Sequence, residues 1–420
     1  MRSATEQTRQ ALAMAREKGG KTGLNCIAEL DPTALTQAEA RDMEPSAKRG
    51  FLAGMPVLVK DNIDVKGLHT TAGSLALADH VAGKDAPIIR NLRKNGAVIL
   101  GKSNMTEFAN YTTEGMPGGY SSRGGSVIHA ADPSLSPSGS SSGSAVAVAA
   151  GIVPAAVGTD TSFSIIGCAQ ENGICGLKPP AGSLPYEGII PIARTLDSSG
   201  TLAQDFRGAL LLYSAMRDEP LSPLEATPLK RLRIAVNTAN QQMVSSGQLD
   251  FLRQTLEGLR TSGAGICELE QRPTPHQRTI MQWEFRPHLE DYLQTSSSGR
   301  KTLSEIVDYY EANPETMMKY GITLLKRSLE ETPGGLAGGP YLTAMAERTK
   351  AIRMMREQLF GYDAVVMTGP TNIFHFCGLP SVTIAGKQTT QHGVRRGLIL
   401  YGPEEEKLYR AALALEAILP

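Results

Sequence analysis

The sequence predicts an α/β fold on three observations: short apolar runs of strand character recur along the chain, helical periodicities separate them, and no break in composition interrupts the alternation. Residues 1 to 50 read as amphipathic helices, starting with the polar stretch MRSATEQTRQALAMAREKGGK. The first extended signal is Met55-Pro-Val-Leu-Val-Lys60, an apolar run that ends in a lone lysine and reads as a buried strand. Ala86 to Arg93 puts Ile88, Ile89 and Leu92 at helical spacing, and Gly96-Ala-Val-Ile-Leu-Gly101 follows as a second core strand. Asn104 to Asn110 is expected to return to helix. Turn residues dominate from 117 to 144, and seven serines fall in the fourteen positions 131–144, a composition that by itself reads as a flexible linker. Ala145 opens a small-residue helix. Leu232 to Asn237 reads as a strand, and Leu249, Leu252, Leu256 and Leu259 mark a helix that ends near Gly263. A helix from about 341 to Gly361 leads to strands at Asp363–Met367, Ser381–Gly386 and Leu398–Gly402 and a last helix from Glu404. No internal repeat is visible, and 215 to 230 is the one plausible linker.

Composition narrows the function. At roughly 150 residues per domain, 420 residues is a soft prior that admits one large α/β domain. Lys+Arg and Asp+Glu both number 42, so no basic excess exists to bind nucleic acid or an anionic membrane by counterion release. The five cysteines form no C-x-x-C pair and suit a reducing compartment. The longest apolar run, Ala145 to Gly158, contains Pro154 and falls short of the roughly 18 residues a span requires. The N-terminus has no apolar signal-peptide core. A cytoplasmic protein is expected.

Several strings match known motifs and fail on context. Gly96-Ala-Val-Ile-Leu-Gly101-Lys102-Ser103 satisfies G-x-x-x-x-G-K-[ST], but its middle residues read as a buried strand rather than a phosphate-cradling loop. Gly139-Ser140-Ser141-Ser142-Gly143 satisfies G-x-S-x-G without the strand that must precede a nucleophile elbow. Ser298-Gly-Arg-Lys301 matches S-x-x-K but lacks its companion motifs. The seven histidines show no ligand spacing, so no metal site is expected, and no organic cofactor is implied.

Three polar features are hard to read as scaffold. Lys60 closes an apolar strand, where burial would pull its pKa towards neutrality and make it a usable base. The Ser-rich loop 138–144 runs straight into the packed helix Ala145–Ala150, so its last serines must be ordered. Gly158-Thr-Asp-Thr-Ser-Phe-Ser164-Ile presents a hydroxyl and several N–H groups in a loop after the apolar segment 152–157, the arrangement an oxyanion site needs.

The text SGSSSGSAVAVAAGIVPAAVGTDTSFSI at 138–165, followed by CGLKPPAGSLPYEGIIPIARTLDSSGTLAQD, resembles the glycine- and serine-rich signature of the amidase signature family. Upstream, GMPVLVKDNIDVKGLHTTAGS, DAPIIRNLRKNGAVILGKSNMTEFA and GMPGGYSSRGG resemble the same family in the same order. The likeness is dense from about 50 to 206 and thin over 207–420, with echoes at Thr368-Gly-Pro-Thr-Asn and Gly378-Leu-Pro-Ser-Val-Thr. It implies a single amidase signature domain over 1–420, with a mixed twisted sheet covered by helices on both faces, that hydrolyses a carboxamide C–N bond through a serine acyl-enzyme. It further implies Ser164 as nucleophile, Ser140 as the cis-serine that relays its proton and Lys60 as terminal base. The oxyanion hole would comprise the N–H groups of Thr161, Ser162, Phe163 and Ser164, and Ser141 would orient the relay. An unaided serine hydroxyl is a poor nucleophile, and a neutral lysine reached through a second hydroxyl activates it without histidine.

Two departures stand beside the match. The family usually has Gly-Gly before the nucleophile and Ile-Arg after it, where this chain has Ser162-Phe163 and Ile165-Ile166. Glycines there permit close approach or positive φ, so Phe163 is expected to narrow the site or displace a donor. The text around Met116 looks more like stand-alone amidases than the glutaminase component of tRNA-dependent amidotransferases. That glutaminase and a catalytically impaired binding descendant are the alternatives. Trp283, Phe285, Tyr292, Tyr309, Tyr310 and Tyr320 crowd residues 283–320, and the segment is expected to wall an acyl pocket beside Phe163, with Ser141, Met116 and Trp283 as substrate contacts. The expected partner is a small-molecule amide, with no nucleic acid and no membrane; a homodimer stays open.

Overall fold

The computed structural model describes residues 2–45, 50–219, 224–333 and 335–420. Its strands are β1 Ile27–Leu30, β2 Pro56–Lys60, β3 Val98–Ser103, β4 Tyr120–Ser121, β5 Gly125–Ser126, β6 Ala155–Asp160, β7 Cys175–Lys178, β8 Ser198–Ala203, β9 Arg233–Asn237, β10 Gly265–Leu269, β11 Ala364–Met367, β12 Ser381–Thr389 and β13 Arg395–Tyr401. β4 and β5 form a small hairpin. The other eleven make one mixed sheet in the order β1-β3-β2-β6-β8-β7-β12-β13-β11-β9-β10.

The apolar runs form central strands because both their faces are covered. Every residue of β2, β3 and β6 is buried, as expected of parallel strands under helices. Successive side chains enter opposite cores. Val57, Val59, Ile99, Ala155 and Val157 pack with the helices Pro87–Lys94, Phe206–Arg217, Ser246–Thr261 and Glu405–Glu416. Leu58, Val98, Leu100 and Ala156 face the helices Ala4–Lys18, Ser142–Ala149 and His276–Thr295. The expected α/β architecture, a mixed sheet with helices on both faces, is therefore present.

β2 runs parallel to both β3 and β6, with Val59 beside Lys102 on one side and Val157 on the other. The carboxyl ends of three neighbouring strands thus open on the same edge, the place where α/β sheets receive ligands. The helix Ser142–Ala149 starts at that edge and lies very close to the chain before it. A Cβ on Gly143 would stand 2.3 Å from the Asn104 carbonyl oxygen and 2.5 Å from that of Cys26.

The fold corrects three local expectations. Residues 1–50 are not helix alone, because β1 lies between the helices Ala4–Lys18 and Ala34–Met43 and pairs antiparallel with β3. Residues 104–110 form a single 3-10 turn, Glu107–Asn110, in which Phe108, Ala109 and Asn110 have φ of 44°, 55° and 70°. Tertiary bonds impose this: the Phe108 N–H goes to the Ala72 carbonyl, and Glu107 accepts from the Ser122 N–H and hydroxyl at 3.0 and 2.5 Å. The serine-rich stretch is ordered at its end, as the packed helix after it requires, and Ser140, Ser141, Ser142 and Ser144 are all buried. Ser142 Oγ caps the Ser138 carbonyl at 2.7 Å, and Ser144 Oγ donates to the Val157 carbonyl at 2.9 Å. Finally, Gly158 to Asp160 continue β6, so the loop begins only at Thr161. Of the segment 215–230, residues 220–223 lie outside the described residues, and the helix Phe206–Arg217 covers its start.

Candidate active site

Lys60 is the last residue of β2 and is completely buried. Its ammonium has three acceptors: Ser140 Oγ at 2.8 Å, Thr159 Oγ1 at 2.8 Å and the Thr159 carbonyl at 3.1 Å. Thr159 is within reach because β6 lies next to β2 in parallel register. Burial pushes the Lys60 amine down from its ordinary 10.5 to about 7, against the pull of Asp160 and Asp197. Asn62 Nδ2 supports Thr159 Oγ1 at 3.1 Å.

Ser140 stands in the loop before the helix Ser142–Ala149, and the Gly139–Ser140 peptide is cis. Its hydroxyl donates to Ser164 Oγ at 3.0 Å. Lys60, Ser140 and Ser164 therefore form one continuous hydrogen-bonded chain. Ser164 is 5% exposed, the outermost member of a chain whose other two members have no accessible surface. Ser141 lies behind this chain, fully buried, with its hydroxyl on the Thr159 carbonyl at 3.1 Å and its N–H on the Ser164 carbonyl at 3.3 Å.

The turn 160–166 that carries Ser164 is pinned at both ends. Asp160 Oδ2 accepts the Ile165 N–H at 2.6 Å and the Ile166 N–H at 3.3 Å. Thr161 is held from two sides, its hydroxyl on Asp197 Oδ1 at 2.5 Å and its carbonyl accepting from Gln277 Nε2 at 3.0 Å. Burial raises Asp197 to about 7, although it accepts the Thr161 hydroxyl and the Ile192 and Ala193 N–H groups. Phe163 sits at φ +66°, a conformation a glycine would enter freely and a bulky side chain does not. Its N–H is already taken by His375 Nε2 at 3.0 Å. The N–H groups of Thr161, Ser162 and Ser164 make no hydrogen bond within the chain among the described residues.

Asp160 and His375 are both fully buried, with Oδ1 and Nε2 2.9 Å apart. Burial alone would raise the Asp160 carboxyl, but His375, Lys178 and the Ile165 N–H together hold it below its ordinary value. Burial lowers the His375 imidazole despite Asp160, so it is held towards its neutral form. Lys178, buried at the end of β7, is pushed down to about 8 by the same desolvation.

The remaining sequence candidates lie as follows. Met116 is buried, and Trp283 is buried against Gly338, where a Cβ would stand 2.0 Å from the indole. The aromatic segment ties the helices 276–312 to the loops of 64–111: Phe285 packs on Phe108 and Tyr111, Tyr310 bonds Ser74 and Glu107, and Tyr292 bonds His80 and Asp64. Lys102 of the P-loop-like string is a strand residue, buried on Asp61 at 3.4 Å and bonded to the His69 carbonyl and Thr70 Oγ1. Asp160, Asp197, Gln277 and His375 were missed by sequence reasoning. The two acids carry no local pattern, and His375 lies 212 positions from the N–H it accepts. Among the described residues, no three His, Cys, Asp or Glu side chains are grouped to hold a metal, and no helix is long and apolar enough to cross a membrane.

This sheet and serine–serine–lysine site define an amidase signature hydrolase. The amidase family profile matches residues 11–378, and the chain belongs to that family. A probable amidase of Arabidopsis thaliana is 31% identical, in an alignment covering 94% of this chain and 83% of that protein. A glutamyl-tRNA(Gln) amidotransferase component of Deinococcus deserti is 37% identical over 64% of this chain and 57% of its own length. Among solved structures, an amidase family protein from Bacillus anthracis superposes with a TM-score of 0.90 at 28% identity, covering 99% of this chain and 88% of that one. The native peptide amidase from Stenotrophomonas maltophilia gives 0.87 at 30% identity, covering 100% and 94%.

Proposed function

We propose that the chain, acting as one catalytic unit, hydrolyses the C–N bond of small carboxamides through an acyl-enzyme on Ser164. The unbroken path Lys60 Nζ, Ser140 Oγ, Ser164 Oγ, with steps of 2.8 and 3.0 Å, carries this reading. With Lys60 charged, all its protons point outward and the relay runs towards Ser164. Loss of one proton leaves two for Thr159 and a lone pair facing Ser140, and the relay reverses. Ser164 Oγ then bonds the carbonyl carbon as its proton passes to Ser140 and the Ser140 proton passes to Lys60. The carbonyl oxygen gains the negative charge, facing the N–H groups of Thr161, Ser162 and Ser164. Each such donor lowers a barrier by about 2.7–4 kcal/mol. When the C–N bond breaks, the proton returns along the same path to the departing nitrogen, and ammonia or an amine leaves. Water repeats the attack on the acyl-enzyme and releases the acid.

Ammonia release from aliphatic, aryl and peptide carboxamides and from glutamine, with wild type beside Ser164→Ala, tests the reading. The peptide amides are included because a peptide amidase is among the structural neighbours. Glutamine is included because a glutamyl-tRNA(Gln) amidotransferase component is among the relatives. Release that disappears in Ser164→Ala supports the assignment. Release that survives it assigns the nucleophile elsewhere, and a folded protein that neither releases ammonia nor reacts with fluorophosphonate at Ser164 is a binding descendant.

A further inference from the structure

This inference rests on reading Ser164 as the nucleophile. Phe163 is held in its left-handed conformation through both its backbone and its ring. Its N–H donates to His375 Nε2 at 3.0 Å, and its ring packs edge-on against Phe374 at 5.7 Å and tilted over the His375 imidazole at 4.7 Å between centroids. The same Nε2 lies 2.9 Å from Asp160 Oδ1, yet neither that oxygen nor His375 Nδ1 has a hydrogen-bond partner among the described residues. A neutral imidazole offers one lone pair. Nε2 can accept from Phe163 only with the proton on Nδ1; a proton on Nε2 would leave the Phe163 N–H without an acceptor. One buried nitrogen therefore meets both the start of the nucleophile turn, at Asp160, and the residue before Ser164.

We infer that His375 is a positioning residue for hydrolysis: its Nε2 lone pair anchors the Phe163 N–H, withdraws it from the oxyanion, and so holds the left-handed turn that aims the Ser162 and Ser164 N–H groups. A glycine at 163 takes φ +66° without strain and has no need of this anchor. The dependence on His375 is thus a consequence of Phe163, and the two substitutions must be coupled.

The test is the second-order rate of Ser164 labelling by a fluorophosphonate. This reaction needs no knowledge of the natural amide: the Ser164 Oγ–P bond forms as fluoride leaves, the serine proton passes to Lys60, and the phosphoryl oxygen occupies the oxyanion position. His375→Ala is expected to label about tenfold or more slowly, within the range for a displaced oxyanion donor. His375→Gln, whose Oε1 can accept the Phe163 N–H, is expected to stay within about threefold of wild type. In a Phe163→Gly background, His375→Ala is expected to lose no more than about threefold, a coupling that a merely structural role would not produce. Equal losses in both backgrounds, no loss in His375→Ala, or a Gln variant as slow as Ala would overturn the inference. Should His375→Ala not fold, the Gln variant and the Phe163→Gly background still decide it. Labelling that survives Ser164→Ala overturns the nucleophile reading and this inference together, whereas additive losses with Ser164-dependent labelling overturn the inference alone.

Discussion

Thr159 takes two of the three ammonium protons of Lys60, at 2.8 Å through its hydroxyl and 3.1 Å through its carbonyl, so the third can point only to Ser140. The lysine side chain is flexible in principle. Here the neighbouring strand fixes its orientation and leaves the third proton facing Ser140.

The pH profile follows from this arrangement. Only the neutral amine can accept from Ser140, and burial places its titration at about 7. Hydrolysis should rise with pH through about 7 and level off roughly one unit higher, as expected when a single base must be deprotonated. Lys60→Ala should show a low rate without that limb, so identical profiles in wild type and variant would remove Lys60 from the relay.

Ser140 should act as a unit with Lys60. Ser140→Ala breaks the path at its middle and should lower kcat by about 10²–10⁴, the usual contribution of proton transfer, with little effect on KM. The double variant Lys60→Ala, Ser140→Ala should be no slower than either single variant. Multiplicative losses, measured by steady-state kinetics on any amide found to turn over, would mean that the two act separately.

Asp197 should make stability fall with rising pH. Its folded pKa is raised to about 7 from an ordinary 3.8, so between these values the folded chain binds more protons than the unfolded one. The stability slope with pH is therefore negative across that window; the loss is absent below about 4 and complete once the folded carboxyl has ionised. Thermal melts from pH 4 to 7 should show the melting temperature of wild type falling relative to that of Asp197→Asn. A constant difference between the two curves would contradict the shift.

Gly143 should tolerate no side chain. A Cβ there would meet two backbone oxygens, at 2.3 and 2.5 Å, and backbone cannot swing aside as a flexible side chain does. Gly143→Ala should destabilise the protein by about 1–3 kcal/mol, the ordinary cost of overpacking, readable in urea denaturation. It should also slow hydrolysis, because the helix it displaces begins two residues after Ser140.

The strands and helices were legible where burial is uniform. β2, β3, β9, β11 and β13 are apolar runs because both faces of the sheet are covered, and the helices Pro87–Lys94 and Ser246–Thr261 show their spacing because only one face is. Less was legible at β1, whose residues are all only partly buried, and at 104–110, where long-range bonds override local preference. By itself the sequence determined the alternation of elements and the family, and it pointed to Lys60, Ser140 and Ser164, since these sit in long ordered motifs whose chemistry depends on residue type. Only the tertiary structure decided that Ser141 faces inward, that Phe163 adopts a positive φ, and that Asp160, Asp197, Gln277 and His375 hold the turn 160–166. Those contacts join residues up to 212 positions apart, and no periodicity or propensity encodes a hydrogen bond whose partners meet only once β6, β7 and β12 lie in the same sheet.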